Sequence, residues 1–260
     1  VYHATTLRGE RHGAVQVATL SRAEGLNTLT SALLDNIFAF VRQLGDEPDC
    51  RCAVLTGEGR AFLAGTDLEE SVAMSAHAFE AYNARAREVT LALASAPVPV
   101  IAAVNGAAVG GGLELALACD FIYAADTARF GLPEVKLGVI AGMGGAHLLQ
   151  HAVGQRRARE LLYTGATISA QDAREFGLVN QVFSPTELLP QTLATAMRIA
   201  AQGPLAVRAV KATQADEARA GLAHSLAVDW SHRLDLFASA DRAEGIRAFL
   251  ERRTPSFSGR

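Results

Sequence analysis

The sequence predicts an α/β fold followed by a helical C-terminal region. Short apolar strands alternate with helical segments as far as about residue 183. One of those strands, in residues 98–104, leads to three consecutive glycines, Gly110, Gly111 and Gly112, and a helix opens at once. Beyond Pro185 almost every segment has helical spacing.

Each element has its own signal. Residues 15–20 (V-Q-V-A-T-L) alternate as a strand does. Residues 30–44 carry Leu33, Leu34, Ile37, Phe38 and Val41 at helical spacing, with Thr30 or Ser31 as cap. Residues 52–56 form a short apolar strand stopped by Gly57, and residues 61–67 a strand end that turns at Gly65. Residues 75–94 read as one long helix, 98–104 as a buried strand, 112–119 as a helix and 121–124 as a strand. Helices over 144–153, 155–162 and 170–176 precede a strand at 178–183. The tail reads as helices over 186–202, 204–215, 218–238 and 241–252. The boundary falls near Pro185, giving an α/β core over 1–185 and a helical region over 186–260. No internal repeat or low-complexity linker interrupts them.

Composition narrows the function classes. Half of the 260 residues are hydrophobic and a fifth are charged, the balance of a soluble globular chain with a sizeable core. The net charge of −3 provides no global basic field for nucleic acid or anionic membrane. Cysteines number three, an odd count, and Cys50-x-Cys52 is too tight for an ordinary disulfide or zinc pair. With no secretory signal at the start, the expectation is a reducing cytoplasm. The apolar run over 97–119 is broken by glycines, Asn105 and Glu114, which argues against a membrane span.

Four features carry candidate chemistry. Glycine lets a backbone amide approach a ligand closely, and the helix that follows favours negative charge near Gly111 N–H. Taken alone, the same triple glycine is also a plain tight turn. It is not a dinucleotide fingerprint, because the frame from Gly110 and Gly112 lands on Leu115 where glycine is required, and no Walker lysine follows. Glu114 lies among Leu113, Leu115, Ala116, Leu117 and Ala118, so its carboxylate is buried or functional as well as a helix-start charge. Glu134 follows Pro133 in a connection where it either works in a site or pairs with Lys136 in solvent. The run Ala64-Gly65-Thr66-Asp67-Leu68 either aims Thr66 N–H into a cleft or is a turn with Asp67 as cap. His147 and His151 share a helix face, but no third ligand stands out and a solvated face is the plainer reading. No serine-hydrolase elbow or zincin motif is present.

Together these segments resemble the crotonase family, the enoyl-CoA hydratases and isomerases, over nearly the whole chain. The resemblance runs from R-A-E-G-L-N-T-L at 22–29 through R-A-F-L-A-G-T-D-L at 60–68. It is strongest in P-V-I-A-A-V-N-G at 99–106 and G-G-G-L-E-L-A-L-A-C-D at 110–120. F-G-L-P-E-V-K-L-G at 130–138, E-L-L-Y-T-G at 160–165 and E-G-I-R-A-F-L-E at 244–251 follow in order.

The resemblance implies a spiral of repeated ββα units and a C-terminal helical region that packs in trimers, or in hexamers made of two trimers. It implies acyl-CoA thioesters as substrates, with coenzyme A as part of the substrate and no separate cofactor or metal. It places the oxyanion-hole N–H groups at Thr66 and Gly111, and coenzyme A contacts at Gly25, Leu26, Ala64 and Leu68. Hydratases of the family use two glutamates, and both are matched here, by Glu114 for water and Glu134 for the α-carbon proton. The reaction implied is syn hydration of a trans-2-enoyl-CoA. Isomerisation, another acyl-CoA lyase or dehydratase reaction, and acyl-CoA binding without turnover are the alternatives. The chain departs from the family pattern in three places. Residues 139–147 lack the usual proline and threonine-glutamine-arginine, Thr66 replaces alanine, and Glu24 stands where a basic residue is common. Residues 69–94, with Met74, Phe79 and Tyr82, are expected to line the acyl pocket.

Overall fold

The structure, a computed structural model, describes residues 3–4, 6–21 and 26–258. Its strands are β1 (His3–Ala4), β2 (Leu7–His12), β3 (Val15–Leu20), β4 (Cys52–Gly57), β5 (Ala61–Leu63), β6 (Val100–Val104), β7 (Ala107–Val109), β8 (Phe121–Ala125), β9 (Arg129–Gly131), β10 (Thr167–Ser169) and β11 (Gln181–Phe183). Its helices are α1 (Ser31–Asp46), α2 (Leu68–Ala73), α3 (Ala76–Ala94), α4 (Gly111–Leu117), α5 (Gly145–Val153), α6 (Gln155–Thr164), α7 (Ala170–Glu175), α8 (Pro185–Ala200), α9 (Pro204–Phe237) and α10 (Ala240–Leu250). A 3-10 turn spans Glu134–Leu137.

Two sheets organise the core. The first runs β1-β2-β3-β4-β6-β8-β11 and the second β10-β9-β7-β5. The chain feeds them in alternation: β4 then β5, β6 then β7, β8 then β9, each pair followed by helical structure. This is the repeated ββα spiral that the family resemblance implies.

The strand sequences explain the layering. From β3 through β11 the first sheet is parallel, and a parallel sheet is covered on both faces. Val100, Ala102 and Val104 of β6 therefore enter the larger core beside Leu55, Leu93 and Leu113, and Ile101 and Ala103 enter a second core. Leu188, Ala196 and Ala200 of α8 close that second core. With neither face in water, β6 reads as a continuous apolar run instead of an alternating one.

The tail is tied to the core at two points. Lys211 of α9 is buried and donates to the Val98 carbonyl at 3.0 Å and Asp120 Oδ2 at 2.7 Å. On α10, Gly245 lies so near the 3-10 turn that a Cβ there would stand 2.6 Å from the Leu137 carbonyl carbon.

Several sequence expectations need correction. The strand of residues 98–104 does not run into the glycines: the chain turns at Asn105 and Gly106 and β7 crosses into the second sheet first. Strands β7, β9 and β10 have three residues each, too few to show a period. The short α2 was also absent from the sequence reading. The two helices expected over 204–215 and 218–238 are one helix, α9. Phe38 is only partly buried, under the Arg85 guanidinium, and Phe40 takes the core position.

Candidate active site

The glycine triplet is fixed by its surroundings. Gly110 has φ +56°, and a Cβ there would also approach Glu134 Oε1 to 3.0 Å. Gly112 packs so closely on β5 that a Cβ would fall 2.0 Å from the Leu63 carbonyl oxygen. Gly111 lies between them at the start of α4, and its added Cβ would stand 2.9 Å from Leu29 Cδ2 and 4.0 Å from Thr66 Oγ1. The parallel pairing of β5 with β7 thus sets the turn after β5 beside the turn after β7. Among the described residues, neither Thr66 N–H nor Gly111 N–H has an acceptor. The Thr66 hydroxyl is engaged with Tyr82, whose own hydroxyl donates to the Leu29 carbonyl at 3.1 Å.

Glu114 is 2 % exposed in the first turn of α4. Its Oε1 accepts from Met143 N–H at 2.7 Å and Gly145 N–H at 2.8 Å. Gly145 must be glycine at that approach, since a Cβ would stand 2.9 Å from the same oxygen. Burial pushes the carboxyl's pKa up, and the backbone donors and Arg233 act in the opposite direction.

Glu134 begins the 3-10 turn after β9. The solvent pairing with Lys136 does not form: Glu134 Oε2 is buried without a partner, and its Oε1 faces Gly110. Burial, and then the Glu114 carboxylate, push its pKa up to about 8. Two carboxyls thus share a pocket, one held by two N–H groups and the other lacking a donor at its buried oxygen.

The pocket encloses about 1100 Å³, its open mouth included. Thr66, Gly111, Glu114, Glu134, Ala64 and Leu68 all line it. Leu26 does not; it is an exposed residue of the loop before Asn27. Gly25 and Glu24 lie outside the described residues. Of the expected acyl-pocket residues, Phe79 and Tyr82 line the cavity and Met74 packs instead against the core. Met143 is on the wall, whereas His147 turns away toward Gly221 of α9. The His147 and His151 rings lie 4.4 Å apart, and no cluster of three or more His, Cys, Asp or Glu among the described residues is placed to hold a metal.

Sequence reasoning missed two groups. Asn27 ties its loop down by donating from Nδ2 to the carbonyls of Leu20, Ala61 and Phe62; an asparagine two residues after Gly25 was the only cue. Arg233, Phe237, Arg242, Ile246 and Phe249 of the tail close the pocket, and nothing in their helical pattern points to it.

With the geometry in place, comparison with known proteins is decisive. The family described as Enoyl-CoA hydratase/isomerase matches residues 10–260. The chain belongs to this family. It is 38 % identical over 255 residues to the probable enoyl-CoA hydratase echA8 of Mycobacterium tuberculosis, covering 98 % of each chain. The crotonyl-CoA hydratase of Syntrophomonas wolfei is 38 % identical over 249 residues, with 95 % of this chain and 96 % of that one covered. The crystal structure of an enoyl-CoA hydratase from Bacillus anthracis superposes with a TM-score of 0.80 at 37 % identity, covering 98 % of this chain and all of the other. The fold is the crotonase fold, and the family acts on acyl-CoA thioesters. No helix of the described residues is long and apolar enough to cross a membrane.

Proposed function

We propose that the protein is an enoyl-CoA hydratase, adding water syn to a trans-2-enoyl-CoA and catalysing the reverse dehydration. The observation that carries this reading is the pair of carboxyls in unlike environments beside two open N–H groups. Titratable neighbours whose environments separate their proton affinities divide acid and base work between them.

In this mechanism Thr66 N–H and Gly111 N–H donate to the thioester oxygen, which gains charge as the enolate forms. One such donor is worth about 3 kcal/mol. Glu114 Oε1 stays bound to Met143 and Gly145 N–H, leaving Oε2 to take a proton from water. The water oxygen bonds to the β-carbon, the double-bond electrons pass into the enolate, and Glu134 delivers its proton to the α-carbon. Exchange between the carboxyls and solvent resets the pair. Ala64 and Leu68, with the loop of Gly25 and Leu26, hold the coenzyme, and no other cofactor is needed. Exposed Leu205, Val210, Phe249 and Leu250 on the tail support a trimeric or hexameric assembly through residues 186–260.

Hydration of a panel of trans-2-enoyl-CoA esters, followed by loss of the conjugated thioester absorbance, tests the proposal. Turnover that both Glu114→Gln and Glu134→Gln remove is the expected result. Intact binding of every ester with no turnover would overturn it in favour of another acyl-CoA reaction or a binding protein.

A further inference from the structure

The acyl end of the pocket is not purely apolar, and this bears on the substrate; the inference rests on reading the cavity as an enoyl-CoA site. Arg233 from α9 and Arg242 from α10 enter the cavity among Phe79, Phe237, Ile246 and Phe249. The Arg233 guanidinium lies on Gly142, where a Cβ would fall 2.5 Å from Nη1. Nη1 donates to the Ile140 carbonyl at 2.5 Å, and the buried Nε has no partner. Arg242 sits 4.5 Å from the centre of the Phe237 ring, and both guanidiniums lie within 6 Å of the Phe79 ring, at 5.6 and 5.7 Å.

Neither arginine forms a salt bridge among the described residues. Arg242 feels the positive charge of Arg233, and so does Arg87, stacked on Trp230. Among the described residues, the carboxyls that feel Arg233 are Glu114 and Glu134 at the reacting end and Asp229 one turn back on α9. Asp229 is buried but does not line the cavity. Two converging guanidiniums with donors to spare are costly beside aromatic walls unless an anion completes them. Their planar forks match a carboxylate.

We propose that Arg233 and Arg242 receive a carboxylate at the far end of the acyl chain, so that the preferred substrate is a short trans-2-enoyl-CoA ending in a carboxylate. Arg233 rests on Gly142, next to Met143, whose N–H holds Glu114. The charged end therefore binds only a few bonds beyond the reacting carbons, which sets the chain short.

The test compares trans-2-hexenedioyl-CoA with trans-2-hexenoyl-CoA, which differ only in a terminal carboxylate against a methyl group. The expected kcat/KM ratio is about tenfold or more in favour of the diacid ester. Arg233→Met and Arg242→Met should each collapse the ratio, chiefly through KM of the diacid ester, and Arg242→Lys should restore part of it. Competition by saturated adipyl-CoA and hexanoyl-CoA reads the same preference without turnover. Equal or better use of the neutral ester, together with equal inhibition by the two saturated esters, overturns this assignment and leaves the hydratase reading standing. Tighter binding of adipyl-CoA with neither enoyl ester hydrated supports the assignment and overturns the hydratase reading instead.

Discussion

Glu134→Gln separates the chemistry of this site from its stability. With a pKa of about 8, roughly nine in ten Glu134 side chains are protonated at pH 7; at the ordinary 4.5, fewer than about one in a hundred would be. The amide therefore matches the charge of the native group at pH 7, and the fold should keep its stability. Hydration should nevertheless fall by about 10²- to 10⁴-fold, because the amide N–H is far too weak an acid to protonate the α-carbon. The sign at higher pH follows from linkage. A carboxyl whose pKa is raised on folding contributes stability that is present below its unfolded pKa and is lost as pH climbs through the folded value. Wild type should thus lose about 1–2 kcal/mol between pH 7 and 9 from this group alone, and the Gln variant should not. Urea midpoints at both pH values, at fixed protein concentration, read the difference. Parallel pH profiles for the two proteins, or hydration near the wild-type rate in the variant, would refute the argument.

Other consequences are equally specific. Glu114→Gln keeps an oxygen to accept from Met143 and Gly145 N–H, so near-ultraviolet circular dichroism should be unchanged while hydration falls at least about 10²-fold. Gly112→Ala places a methyl where only 2.0 Å separates it from the Leu63 oxygen; a loss of about 3 kcal/mol or more in urea unfolding is expected. Lys211→Met leaves Asp120 without its 2.7 Å partner and frees the start of α9, with an expected cost of about 2–4 kcal/mol in the same assay.

What the sequence disclosed follows from the range of the interactions involved. Glu114 was legible because a carboxylate in an apolar helical turn is a local anomaly. The long parallel strands showed as apolar runs because both faces are covered. Glu134 was not legible from its own neighbours: Gly110, which its carboxylate faces, and Glu114, whose charge it feels, are both distant in sequence, and only the resemblance pointed to it. The second sheet was hidden by strands too short to carry a period. The break expected in α9 followed a polar stretch, yet no glycine or proline falls there and its alanines, glutamate and arginine favour helix. Arg233 and Arg242 belong to the site only because α9 and α10 fold back over α3 and the 3-10 turn, and no local pattern records that return.

As proposed, this pocket adds water rather than moving a double bond. Incubating the enzyme with a trans-2-enoyl-CoA in oxygen-18 water and weighing the product tests it most directly. A hydratase forms a 3-hydroxyacyl-CoA carrying the labelled oxygen, expected from wild type and absent with Glu134→Gln. An unlabelled 3-enoyl-CoA as the sole product would contradict it.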